Sequence, residues 1–321
     1  MRQSSDKKGG RGLRPDNIRT WTVDEDGTIL ETATKILSDH SLKSVKSMLR
    51  HNQFAVNGVP YTQYNFPVKK GDKFSVNFDR SFVVFSNRRV ELVYEDEDIL
   101  VINKGYGLLS MGTDKIKDGT AYSIMREYVK SHNPKAHVYI VHRLDRDTSG
   151  LMMIAKTMEA KEVMQHNWNN MVINRKYVAV VEGRMENKEG VIRSYLAETS
   201  QFEVFSTDDP EKGQLAITRY KTLKVGNGYS LVEYELDTGR KNQIRVHSKE
   251  MGHPIVGDRK YGAASSPIRR LALHAMTLRF VHPITRKEMN FTTPIPASFL
   301  RLVHYRQPRI DKEDAVVEGN E

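Results

Sequence analysis

VYIVHRLDRDTSGLMMIA, residues 138–155, sets a polar stretch, HRLDRDTSG at 142–150, between two apolar runs. VYIV and LMMIA have the length and composition of strands, so the loop between them is fixed at both ends by a sheet. Catalytic groups are favoured where a rigid scaffold holds a polar loop in this way. The loop carries two carboxylates and two guanidiniums in Arg143, Asp145, Arg146 and Asp147. Read alone, it fits an ion-pair turn equally well, with Asp147, Thr148, Ser149 and Gly150 supplying turn and capping chemistry.

On either side of this loop, ELVY, DILVINK, KYVAVVEG, AITRYKTLKV, YSLVEYELD and LALHAMTLRF read as strands. AYSIMREYVKSH, MEAKEVMQHNWNN, QIRVHSKEMG and ASFLRLVHYR read as helices. Several strands follow one another with no helix between, which predicts an α+β fold on a mixed, largely antiparallel sheet flanked by helices, not a doubly wound sheet. No internal repeat is visible. This larger domain is expected over 91–307, behind a linker at 81–90.

Towards the N-terminus, Leu30, Ala33, Ile36 and Leu37, then Val45, Met48 and Leu49, fall at helical spacing, with Ser41 as an N-cap between two short helices. Asn57-Gly58 marks a hairpin, and Gly71 a turn before an alternating strand. A small domain over 20–80 follows, near the lower size limit for an independent core and so only modestly stable. Residues 1–19 are basic and lack apolar periodicity, so a flexible arm is expected there, and an acidic tail at 308–321.

The chain has 321 residues, a formal charge of +10 and no cysteine, with a pI near 9.5. Two domains fit this length. Disulfides, thiolate metal sites and a cysteine nucleophile are excluded. The excess of basic residues makes an acidic partner, nucleic acid first, the leading expectation. No apolar stretch approaches the roughly 20 residues that span a bilayer, so the expected location is the cytoplasm. Nothing in the sequence advertises an exposed apolar patch, and a monomer is expected.

A second charged segment, LDTGRKNQIRVHSKEMGHPIVGDRKYG at 236–262, gathers Arg240, Lys241, Arg245, Lys249, Arg259 and Lys260 around the start of a helix. Amide donors and positive charge there point at the same place, which suits phosphate; the plainer alternative is a solvated basic helix. Two functional classes fit parts of this pattern. A metal-dependent hydrolase would use His142, Asp145, Asp147, His247 and His253, but no compact ligand pattern is present and the neighbouring arginines would repel a cation. A non-catalytic RNA-binding or ribosome-assembly factor would need only the basic surfaces.

Taken together, YEDEDILVINKGYGLLS (94–110), HRLDRDTSGLMMIAK (142–156), RKYVAVVEG (175–183), the 236–262 segment and RLALHAMTLRFVHPIT (270–285) resemble, in order, the RluA-type pseudouridine synthases. Residues 29–78 resemble the alpha-L RNA-binding domain named after the small-subunit ribosomal protein S-four, in which helix lysines and arginines grip RNA; the matching positions are Lys43, Lys46 and Arg50. The resemblance implies isomerisation of uridine to pseudouridine in RNA, without cofactor or metal, on large-subunit ribosomal RNA or else transfer RNA. It implies that Asp145 is the essential carboxylate, attacking the base or the sugar or taking a sugar proton. Arg245 matches the basic residue that pairs with that carboxylate, and Tyr177 the tyrosine that stacks on the target base. Ile244 matches an apolar wall and Arg143 the residue that fills the space of the flipped base. Lys176 and Arg240 are candidate phosphate contacts. Two departures stand out: family members usually carry Pro where this chain has Gly105, and Thr-His where it has Lys241-Asn242.

Overall fold

The computed structural model describes residues 18–78, 82, 85–113 and 116–305; the stretch before Ile18 and the acidic tail at 308–321 lie outside them. The chain divides into two units, the first running to Phe85 and also taking in Ser131–Asn133, the second made of Ser86–Lys130 and the chain from Pro134 on.

The first unit starts with strands β1 (Ile18–Thr22) and β2 (Gly27–Thr28), followed by helices α1 (Ile29–Ile36) and α2 (Leu42–Arg50). Its remaining strands are β3 (Phe54–Val56), β4 (Val59–Pro60), β5 (Pro67–Val68) and β6 (Lys73–Asn77). Thr28 and Glu31 form a reciprocal capping box at the start of α1, and Ser41 caps α2 by accepting from the Ser44 amide; each satisfies amides that have no partner inside the helix. Asn57 and Gly58 both adopt positive φ, 50° and 81°, the conformation that a two-residue hairpin between β3 and β4 needs. Ile29, Ala33, Val45 and Leu49 bury their side chains with Phe54, Phe74 and Val76 of the sheet β1-β6-β3-β4. The last two residues of the arm expected over 1–19 are ordered instead: Ile18 and Arg19 pair with Asn77 and Val76 as the start of β1, because β6 has an open edge to fill.

The second unit runs β7 (Val90–Glu95), β8 (Ile99–Lys104), α3 (Ala121–His132), β9 (Tyr139–Ile140), β10 (Ser149–Ala155), α4 (Met158–His166), α5 (Trp168–Met171), β11 (Val172–Glu182), β12 (Glu189–Glu198), β13 (Val204–Thr207), β14 (Gln214–Gly226), β15 (Tyr229–Leu236), α6 (Gln243–Glu250), β16 (Leu273–Val281), β17 (Glu288–Thr292) and α7 (Ala297–Leu302). Nine of the strands follow the order β13-β12-β14-β15-β11-β16-β10-β8-β7, with β17 on β16 and β9 on β10. All pairings are antiparallel except β10 with β16, so the sheet is mixed and largely antiparallel, as expected.

The parallel junction is tight. Gly150 lies opposite Ala275 with φ 119°, and a Cβ on it would stand 2.2 Å from the Ala275 carbonyl oxygen, so only glycine fits. On one side of the junction Val178, Val180, Leu231, Tyr234, Ile244 and Phe299 form a core; on the other, Ile99, Val101, Met153, Met164, Phe280 and Phe291 form a second. The polar loop 142–148 therefore enters β10 where two packed regions of one sheet meet.

Candidate active site

Three polar side chains tie this loop to its surroundings. Ser110 spans Leu144, accepting from its N–H at 3.1 Å and donating to its carbonyl at 2.7 Å. The buried Lys104 ammonium donates to the carbonyls of Leu108 (2.8 Å), Gly105 (3.1 Å) and Arg146 (3.2 Å). Burial lowers its pKa to about 7, with Asp145 and Asp147 opposing that shift; the three carbonyls favour the charged form too, because only an ammonium has three hydrogens for them. His142 Nε2 accepts the Met153 N–H at 2.9 Å, and burial, with Arg175 nearby, lowers that imidazole to about 3, so it stays neutral and free to accept.

The two aspartates of the loop are treated differently. Asp147 is bonded through both oxygens to its neighbour Arg146, Nε at 3.1 Å and Nη2 at 3.0 Å, on the exposed side. This is the ion pair that the loop read alone suggests. Asp145 instead lines a cleft of about 470 Å³ together with Arg143, Tyr177, Arg240, Ile244 and Arg245. Its Oδ2 lies 3.5 Å from Arg245 Nη1.

Arg245 is held from behind. The buried Asp258 accepts from its Nε at 2.7 Å and its Nη2 at 2.8 Å, Asn242 Oδ1 accepts from Nη1 at 3.0 Å, and its guanidinium stacks 4.8 Å from the Tyr261 ring. Burial works against the guanidinium charge, but the Asp258 hydrogen bonds and the charges of Asp258 and Asp145 raise its pKa above the ordinary value. A cation fixed by a bidentate carboxylate is a preorganised partner for a second carboxylate. Asn242, one of the departures in sequence, is thus part of the cage around this arginine.

Tyr177, on β11, contributes a half-buried ring to the cleft. Burial raises its phenol, Arg175 opposes that and Asp145 adds to it, so the hydroxyl is neutral near pH 7. Ile244 is buried and lines the wall, while Arg143 is exposed at the edge. Arg240 donates from Nε to the Leu215 carbonyl at 3.1 Å. Lys176 is not brought to the cleft: its ammonium pairs with Glu233 across to β15 at 3.0 Å. Lys43, Lys46 and Arg50 lie on the exposed face of α2 in the first unit.

The histidines of the metal-hydrolase alternative do not converge on Asp145. His247 is bonded to Thr218 and Ser194, and His253 Nδ1 to the Glu182 carbonyl. Asp96, Asp98 and His282 bring ligand atoms within 4.8 Å of one another. However, the Asp96 carboxylate already accepts from the amides of Asp98 and Ile99, from Tyr94 and from His282, as a hydrogen-bonded turn does.

A family model described as RNA pseudouridylate synthase matches residues 98–250, a span that holds Asp145, Tyr177 and Arg245. An uncharacterized RNA pseudouridine synthase of Bacillus subtilis is 33% identical over 77% of this chain and 88% of its own length. The chain belongs to the RNA pseudouridine synthase family. The ribosomal large subunit pseudouridine synthase D of an Escherichia coli strain is 31% identical over 88% of this chain and 93% of that protein. Among solved structures, the human RNA pseudouridylate synthase domain containing 4 superposes with a TM-score of 0.56 at 25% identity, over 68% of this chain and 94% of that one.

Lys104, Ser110 and Asp258 carry much of the family member's site geometry and were not singled out from the sequence. Lys104 left a usable signal: a lysine closing the apolar run ILVIN has to bury its charge or turn outward. Asp258 left little, because an acid in the basic segment GDRKYG reads as a surface counter-charge.

Proposed function

We propose that this chain converts uridine to pseudouridine in RNA, with large-subunit ribosomal RNA as the preferred substrate and Asp145 as the essential carboxylate. One observation carries the assignment of Asp145: of the two loop aspartates it is the one that lines the cleft, beside a guanidinium which Asp258 holds in place. The preference for ribosomal RNA rests on the similarity to the large subunit synthase of Escherichia coli.

In the reaction the bond from uracil N1 to the sugar C1′ breaks, the base turns, C5 bonds to C1′, and the C5 proton is exchanged for one on N1. Asp145 serves that sequence in one of three ways, by adding to the base, by adding to C1′ or by taking a sugar proton. Arg245, 3.5 Å away, aims its oxygens. The Tyr177 ring stacks on the base and Ile244 walls the other side. A stacked uridine has to leave its helix to reach this cleft; Arg143, exposed at the edge, fills the space it vacates, and Arg240 meets a phosphate. In the first unit, two helices on a small sheet with Lys43, Lys46 and Arg50 exposed support an alpha-L type RNA grip.

The test is tritium release from ribosomal and transfer RNA transcripts labelled at uridine C5, with EDTA present. Wild type releases tritium, from ribosomal RNA most strongly, and Asp145→Asn loses about 10²–10⁴-fold while keeping its RNA affinity. Salt-sensitive binding with no release by wild type would instead make the chain an RNA-binding factor.

A further inference from the structure

Phe202 lines the same cleft and is 70% exposed, at the tip of the loop between β12 and β13. Its φ is 62°, a region that bulky residues avoid and glycine enters freely. The turn imposes this value: the Phe202 N–H donates to the Thr199 carbonyl at 2.9 Å, and the Thr199 N–H donates back across the loop to the Glu203 carbonyl at 2.8 Å. Glycine would close the turn without strain, yet the position carries a large apolar ring left in water. Strain of this kind persists only where the surroundings hold it. Here the opposite wall does so, since Lys260 donates to the Phe202 carbonyl at 3.1 Å and the Lys241 ammonium lies 5.3 Å from the ring centroid. Lys241, in turn, pairs with Glu198 at the base of the loop. Lys241 is one of the three residues, with Gly105 and Asn242, at which the sequence departs from the usual family pattern.

We propose that Phe202 is a base-stacking residue, taking an unpaired nucleobase next to the target uridine as the RNA strand enters the cleft. This rests on the reading that RNA occupies the cleft. Three features favour a nucleobase over a protein side chain. The ring lines the cleft, Arg143, Arg240 and Lys241 line the same cleft with charge suited to phosphates while Lys260 holds the Phe202 carbonyl, and a flat aromatic face accepts any base. Lys241 is then free to exchange Glu198 for a phosphate of the same strand.

The experiment compares the full chain with Phe202→Trp, Phe202→Ala and Phe202→Gly. One probe is an unmodified large-subunit ribosomal RNA transcript labelled at uridine C5. The other is a uridine-containing RNA oligonucleotide with 2-aminopurine beside the uridine. The expected result is 2-aminopurine quenching by wild type and Phe202→Trp, and its loss in the Ala and Gly variants, together with about a tenfold rise in KM and in the dissociation constant. Phe202→Gly is the deciding variant: its melting temperature holds or rises as the strain is relieved, while RNA affinity falls. RNA affinity and quenching in Phe202→Gly within twofold of wild type would overturn the proposal and leave the ring as a contact for another kind of partner. So would a loss of affinity that appears only with a matching fall in melting temperature. If wild type releases no tritium, the uridine reading fails, and the affinity and quenching measurements still decide the role of Phe202.

Discussion

Asp258 is buried with both carboxylate oxygens on Arg245, so the orientation of the arginine beside Asp145 depends on a residue that does not reach the cleft. Removing one partner of a buried charge pair leaves the other uncompensated, at a cost of about 3–5 kcal/mol. Asp258→Asn keeps the shape but offers Arg245 one acceptor in place of two. The expected outcome is a fall in kcat of about tenfold or more with a smaller change in KM, because a positioning residue acts on the reacting geometry and not on RNA contacts. Steady-state tritium release checks it, and equal losses in kcat and in thermal stability would mean simple unfolding. At this scale the sequence was half legible. HRLD pointed to the loop, but with Asp145 and Asp147 two positions apart, spacing alone left both as candidates. The partners that separate them, Arg146 for one and Arg245 for the other, lie 1 and 100 positions away, and only the second is a matter of tertiary structure.

Among the elements, β8 ends in the turn that anchors the HRLD loop. The Gly105 N–H donates to the Arg89 carbonyl at 2.7 Å, and a Cβ on Gly105 would stand 2.8 Å from that same oxygen. Proline, usual here among RluA-type enzymes, would remove the donor and fill the contact. Gly105→Pro is therefore expected to destabilise the chain by about 1–3 kcal/mol and to reduce kcat through the adjacent Lys104, whose ammonium holds Arg146; a melting curve and a turnover measurement together check both effects. The strands the sequence advertised were the buried ones. The β10 pattern is buried at every residue, whereas β12 alternates between exposed and partly exposed positions over most of its length. With both faces partly solvated, β12 lacks the apolar alternation that would announce it, and β13 and β17 are short enough to pass for loops.

Across the whole molecule, buried histidines couple stability to pH. Burial lowers His247 to about 4 and His274 to about 3, Arg270 adding to the second, against an ordinary value of about 6.5. The unfolded chain therefore binds these protons at higher pH than the folded one. Their contribution is complete above about 6.5 and is lost as pH falls towards 4 and then 3, at up to about 1.4 kcal/mol per pH unit for each histidine. Urea midpoints measured from pH 7.5 to 4.5 are expected to hold steady and then drop below about 6.5; a flat profile would show that these histidines are not kept neutral. The α+β class, the hairpin at Asn57-Gly58, the caps at Ser41 and the frame of the HRLD loop were determined by the sequence itself, since periodicity, turn chemistry and capping act within a few residues. Which carboxylate lines the cleft, what grips Arg245, why Gly105 and Gly150 are required and where the Phe202 ring is held were decided only by tertiary structure. Each depends on atoms brought together from distant parts of the chain by the parallel junction of β10 with β16 and by the packing of α6 against its sheet.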